Sequence, residues 1–196
     1  MSYRASPETV LDLVTENEAH KDLYINDEVF DLEIGHLFRN TWVYVGHVSQ
    51  VPNKGDYFTT TIANQPLIMV RHSDDTIKIL ENRCAHRGVE LVAQTHGNTG
   101  RTFSCPYHAW TYSNQGDLIG IYGEESFGEV DRSTRGLTEL PCDERAGVIF
   151  VRLTPGQKFD LDSWLGEFAD KLASQDLVNC IFTQNVGFRD RDGKPR

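Results

Sequence analysis

Two cysteines and two histidines arrive in this chain as a pair of short hooks. The first is Cys84-Ala85-His86 and, after eighteen residues, the second is Cys105-Pro106-Tyr107-His108. Thiolate and imidazole are ligands that iron, zinc and copper share, so spacing has to separate the possibilities. A structural zinc usually takes like pairs, Cys-x2-Cys with His-x3-5-His. Here each hook is mixed, with one or two residues between its cysteine and its histidine. Mixed hooks suit a binuclear centre lying between two loops, where each loop reaches both metals. Cys84 and Cys105 then bind one iron of a two-iron, two-sulfide cluster as thiolates, and His86 and His108 bind the other as neutral imidazoles. A mononuclear zinc site and a catalytic Cys/His pair use the same residue types. The catalytic pair leaves the second hook without a purpose.

The residues around the hooks suit close approach to a cluster. Gly88 can adopt positive φ where the first loop turns. Pro106 stiffens the second loop. Backbone N–H groups aimed at sulfur, with solvent access and ligand type, set the potential of such a centre.

The elements that must carry the hooks are short strands. Trp42 to Gly46, Tyr57 to Ile62, Leu67 to Arg71 and Ile77 to Leu80 are β-branched and aromatic, and turn clusters separate them. They predict an antiparallel meander. Arg101 to Ser104 delivers the second hook, Leu118 to Ile121 follows it, and Leu137 to Leu140 with Gly147 to Leu153 close a small β-sandwich. The Gly-rich stretch His96 to Gly100 reads as a loop, and residues 122–136 read as a solvated acidic loop, with docking of a basic partner the alternative. His47 and His72 sit at strand ends or turns and are expected in solvent.

Helices flank the strands. Residues 8–20 predict a short amphipathic helix. A second starts after Asn26 as N-cap, with Asp27 and Glu28 at its positive end and an apolar stripe of Phe30, Ile34, Leu37 and Phe38. After Thr154-Pro155-Gly156, the residues Leu161, Trp164, Leu165, Phe168, Ala169 and Leu172 make the strongest helical stripe. The segment from Gly187 to Arg196 carries no core pattern.

With 196 residues the chain can bury a core without disulfides. Its net charge of −10 disfavours nucleic acid and anionic membrane as partners and fits a basic redox partner or a neutral small molecule. There is no signal-peptide pattern and no apolar run long enough for a bilayer. Four cysteines, two of them in His-containing hooks, indicate metal in a reducing compartment, so the expected location is cytoplasmic.

At this point the residues carry a family resemblance. Asn82-Arg83-Cys84-Ala85-His86-Arg87-Gly88 and Cys105-Pro106-Tyr107-His108-Ala109-Trp110-Thr111-Tyr112 resemble the Rieske [2Fe–2S] domain of aromatic-ring-hydroxylating oxygenase α subunits. The family usually has glycine at the position of Ala109. Trp42 to His47 and Gly55-Asp56-Tyr57 are similar to the family's opening strands. The resemblance spans most of residues 22–172. It implies a mainly β fold, an antiparallel Rieske-type sandwich with cluster-binding loops flanked by N- and C-terminal helices. It also implies a cluster held by Cys84, His86, Cys105 and His108. Neither hook has the extra cysteine of the respiratory type, so the resemblance points to the lower-potential branch, roughly −150 to 0 mV. Cys142 and Cys180 read as ordinary thiols.

Family α subunits continue into a domain where two histidines and a carboxylate hold a mononuclear iron(II). This chain has no histidine after His108, so no mononuclear iron is expected in it. The expected division is 1–41 helical, 42–153 Rieske, and 154–196 helix and tail leading toward a catalytic domain. The expected function is electron transfer from a reductase or ferredoxin toward an iron site on another chain, possible partners being other oxygenase subunits. The chain alone is expected not to hydroxylate. A stand-alone Rieske ferredoxin-like carrier is the alternative, and a zinc-stabilised module is a third.

Overall fold

A computed structural model of the chain describes residues 6–156 and 159–182. The patternless stretch from Gly187 to Arg196 lies outside the described residues. Eleven strands among those described pair antiparallel into three sheets. The central sheet has the order β5-β2-β3-β4-β9, from His96–Asn98, Asp56–Ile62, Gln65–Arg71, Ile77–Glu81 and Glu139–Leu140. Its β2-β3-β4 hairpins are the expected meander. A second sheet runs β1-β11-β10, from Val43–His47, Val148–Val151 and Cys142–Arg145. The third runs β6-β7-β8, from Thr102–Ser104, Thr111–Ser113 and Leu118–Gly120.

The central sheet is buried on both faces, which is why β3 reads as one apolar run. Alternation along a strand sends successive side chains to opposite faces. Ile68 and Val70 join Leu80, Cys84, Cys105, Trp110 and Tyr112 in the core under the hooks. Leu67 and Met69 join Val45, Ile149 and Val151 in the core against the second sheet. All four β3 residues have no exposed surface. The meander is thus the floor to which the hook-bearing loops are fixed.

The far face of the second sheet carries Trp42 and Phe150, covered by Leu161, Leu165, Ala169 and Leu172. These belong to α4 (Leu161–Leu165) and α5 (Phe168–Ala173). The predicted stripe is therefore real but broken. Gly166 takes φ +54° between the two helices, and Trp164 and Phe168 stay 42 % and 53 % exposed.

At the N-terminus the expected helix over 8–20 shortens to α1, Pro7–Leu11, and the chain then reverses through a Val14–Ala19 bridge. Two short helices follow, α2 (Asp22–Ile25) and α3 (Asp27–Glu33). Asn26 caps α3 as expected, its Oδ1 accepting the N–H groups of Glu28 and Val29. Beyond α3 the helix widens into a π turn over Ile34–Phe38, closed by Arg39 N–H on the Ile34 carbonyl. The regular period behind the predicted stripe fails there. Val29 is buried and Phe38 packs on the core, but Phe30 and Leu37 remain exposed.

Three further expectations change, and one strand appears that the sequence did not predict. His96–Asn98, read as loop, is a strand paired with β2. Cys142–Arg145 is a strand whose polar sequence conceals it. His47 is buried, with Nε2 on the Leu177 carbonyl at 2.9 Å and Nδ1 accepting the Ser49 N–H at 3.2 Å. His72 is mostly covered, meeting Gln115 from the β7–β8 hairpin at 2.9 Å and Asp74 at 3.1 Å. No helix among the described residues is long and apolar enough to cross a membrane.

Candidate metal centre

The first hook lies in the loop between β4 and β5, and the second at the tip of the β6–β7 hairpin. Their backbones repeat one frame. Cys84 N–H donates to the Val89 carbonyl at 2.8 Å, and Gly88 N–H donates back to the Cys84 carbonyl at 2.7 Å. In the second hook Cys105 N–H donates to the Trp110 carbonyl at 2.8 Å, and Ala109 N–H to the Cys105 carbonyl at 3.0 Å. In each, the fourth residue after the cysteine is left-handed: Gly88 at φ +71° and Ala109 at φ +54°. The glycine expectation at residue 88 holds. Ala109, with a Cβ, occupies the equivalent strained position.

Asn82 closes the neck of the first loop. It is 1 % exposed, and its Oδ1 accepts the N–H groups of Leu91 and Val92, each at 3.0 Å. Its Nδ2 donates to the Val92 carbonyl at 2.7 Å. No local pattern marks Asn82 for this role, because its partners come nine and ten residues later.

The candidate ligands come together as two like pairs. Cys84 and Cys105 are buried beneath the loops, at 3 % and 4 % exposure, in the core with Trp110 and Tyr112. His86 and His108 lie above them, half-buried, with ring centroids 4.8 Å apart. The His86 ring stacks on Trp110 at 5.0 Å and 11°, and meets the edge of Phe127 at 5.2 Å. Tyr107, 56 % exposed, packs against His108 at 3.7 Å. The thiols are thus inner and the imidazoles outer.

The inner pair has a polar partner. The Tyr112 oxygen accepts the Ala85 N–H at 3.1 Å and lies 3.2 Å from Cys84 Sγ, to which its O–H can donate. Burial pushes the Cys84 thiol up; the Tyr112 hydroxyl and the His86 N–H oppose this, and neighbouring Cys105 adds to it. Burial, and then Cys84, push the Tyr112 phenol far above its ordinary value. Loss of solvation, then His108 and Arg87, lower His86, which favours the neutral imidazole a metal needs.

These residues fit an iron–sulfur group. His108 Nδ1 is buried and has no hydrogen-bond partner among the described residues. A buried polar atom left this way costs about 1–3 kcal/mol, and a metal ion is a partner that imidazole nitrogen accepts. The neighbours are like with like, histidine beside histidine and cysteine beside cysteine. Among the described residues no three His, Cys, Asp or Glu side chains close around a single point.

The loop over residues 122–136 departs from expectation. It is not wholly solvated, because Phe127 and Val130 pack on the core beneath the hooks. Cys142 and Cys180 are thiols rather than disulfide halves, as expected, with Cys142 Sγ on the Ile77 carbonyl at 3.4 Å.

Comparison with known proteins agrees with this geometry. Residues 41–131 match the Rieske [2Fe-2S] domain family. The chain is 33 % identical over 146 residues to the benzene 1,2-dioxygenase subunit alpha of Pseudomonas putida, covering 74 % of this chain and 32 % of that one. It is 34 % identical over 156 residues to the glycine betaine monooxygenase oxygenase subunit of Chromohalobacter salexigens, covering 80 % and 34 %. The crystal structure of naphthalene 1,2-dioxygenase from Rhodococcus sp. bound to indole superposes with a TM-score of 0.69 at 34 % identity, covering 74 % of this chain and 33 % of that one. The chain thus spans about a third of the length of the relatives it matches.

Proposed function

We propose that the chain is the electron-transfer module of a ring-hydroxylating oxygenase α subunit: its residues 41–131 match the Rieske [2Fe-2S] domain, and the relatives it resembles include such subunits, covered over about a third of their length. Cys84 and Cys105 would hold one iron as thiolates, and His86 and His108 would hold the other through neutral imidazoles. The observation that carries this reading is the buried, partnerless Nδ1 of His108 beside the His86 ring. When bound there, a [2Fe–2S] cluster supplies one-electron transfer, between a reductase or ferredoxin donor and a mononuclear iron elsewhere.

The chain's own residues orient and insulate the site. The two left-handed turns present each hook to the same space, and Asn82 keeps the first loop from opening. The burial of both thiols keeps water from the inner half. Trp110 holds the His86 ring in plane, and Tyr112 offers its O–H to Cys84.

The partners fit the same reading: a donor protein with a basic face, given the net charge of −10, and other oxygenase subunits. We place the protein in the cytoplasm, where thiols stay reduced. Residues 42–153 form the cluster domain, 1–41 the helical segment before it, and 154–196 the stretch leading onward. Exposed Tyr24, Ile25, Phe30 and Leu37 on the first segment favour cover from a larger assembly. The second reading is a free electron carrier. It is favoured by the way α4 and α5 cover the second sheet within the same chain.

Iron and acid-labile sulfide analysis tests the cluster, with two of each per chain expected. One zinc per chain without sulfide overturns it. Hydroxylation of benzene by this chain alone, with reductase and ferrous iron, contradicts the module reading, which expects none.

A further inference from the structure

The two histidines are not equivalent, and the difference comes from the 122–136 loop. The His86 ring is boxed by Trp110 at 5.0 Å, Phe127 at 5.2 Å and His108 at 4.8 Å. Phe127 also meets Trp110 at 5.8 Å, so it closes a corner of an aromatic box. The far neighbour of His108 is Tyr107, more than half exposed.

The loop is built to hold Phe127 there. Its N–H donates to the Glu124 carbonyl at 3.0 Å at the end of a 3-10 turn. Gly128 takes φ +69° immediately afterwards and turns the chain back. The Arg132 guanidinium then ties the loop, reaching the Glu124 carboxylate at 2.6 Å and the Ile119 carbonyl of β8 at 3.1 Å. The loop is otherwise acidic and open, with Glu125, Glu129 and Asp131 at its surface.

We propose that Phe127 is a positioning residue that shields the His86 ring from water and thereby sets the reduction potential of the centre. This rests on the reading that His86 is a ligand. Reduction adds one negative charge, and water stabilises that charge better than an apolar ring does. Excluding water therefore holds the potential down. Nearby carboxylates act in the same direction.

The test uses the cluster-loaded protein, its Phe127→Ala and Phe127→Leu variants, and a redox titration followed by electron paramagnetic resonance. Iron and sulfide are counted first. The expected result is a full cluster in all three, a raised midpoint for alanine, and a near-unchanged midpoint for leucine, which keeps the apolar cover. Nitrogen couplings from the imidazole ligands should change in the alanine variant and be restored by leucine. A full cluster with an unmoved midpoint in Phe127→Ala overturns the proposal, as does an equal shift in both variants. Should the alanine variant lose its iron, Phe127→Val decides, again with a rise expected and no change overturning. Failure of the unaltered protein to hold iron and sulfide overturns the cluster reading itself, a separate outcome.

Discussion

The Tyr112 hydroxyl lies 3.2 Å from the Sγ of Cys84, and the same oxygen accepts the Ala85 N–H at 3.1 Å. Against a metal-bound thiolate, which carries no proton, only the Tyr112 O–H can be the donor. A hydrogen bond to a ligand sulfur stabilises the more negative, reduced state. Phe in place of Tyr112 should therefore lower the midpoint potential. If the differential strength is about 1 kcal/mol, the drop is roughly 40 mV for one electron. Because burial holds the phenol protonated well into alkaline pH, the drop should be the same at pH 7 and pH 9. A rise in potential, or no change, contradicts the donor role.

Gly88 and Ala109 sit at the same place in the two hooks, both left-handed, but only one is glycine. A left-handed non-glycine residue costs roughly 1–2 kcal/mol, and glycine gives back about 0.4–1 kcal/mol through the unfolded chain. Ala109→Gly should thus stabilise by roughly 0.5–1 kcal/mol, raising Tm by about 1–4 °C. Gly88→Ala should do the reverse, although an added Cβ there meets nothing within 4 Å. Calorimetry on both variants checks the pair, and shifts of the same sign would contradict the backbone argument.

Asn82 makes its bonds in a site that is 1 % exposed. Asn82→Ala leaves the Leu91 and Val92 N–H groups unpaired in a buried neck. Each costs about 1–3 kcal/mol, so the total loss should be several kcal/mol. The loop then opens around Cys84 and His86. Thermal unfolding should fall sharply, and iron per chain should fall with it. Retention of full iron with an unchanged Tm shows that the neck is held by something else.

What the sequence makes legible is chemical type at short range. The Asn26 cap and the β2-β3-β4 meander each rest on residues a few positions apart, and each appears as read; the two hooks are as local in sequence, and the fold sets their histidines side by side. The Ala109 strain has a local signal as well, since its hook repeats that of Gly88. The remainder depends on partners far along the chain. His47 looks like a solvated strand-end histidine until Leu177, 130 residues later, folds onto its Nε2. Phe127 sits in an aperiodic acidic loop, where no pattern says which side chain turns inward. The π turn at Ile34–Phe38 and the break at Gly166 interrupt helical stripes that are correct in composition but not in phase.

The thiols give a prediction that needs no cluster. In metal-free protein the Cys84 thiol is raised, by burial foremost, so less of it is thiolate at pH 8 than in an ordinary cysteine. Thiolate is the nucleophile, and access limits it further. Cys180 is exposed and Cys84 is 3 % exposed. Iodoacetamide should therefore alkylate Cys180 first, with Cys84 slower by about tenfold or more. Because its pKa is raised, Cys84 should keep gaining reactivity as pH rises above 8. Loading the cluster should abolish reaction at Cys84 and Cys105 while leaving Cys180 unchanged, since metal-bound thiolates are not free nucleophiles. Peptide mass spectrometry over a time course reads all three rates. Equal rates at Cys84 and Cys180 in the metal-free protein contradict the buried placement. Unchanged Cys84 and Cys105 rates after loading remove them from the ligand set.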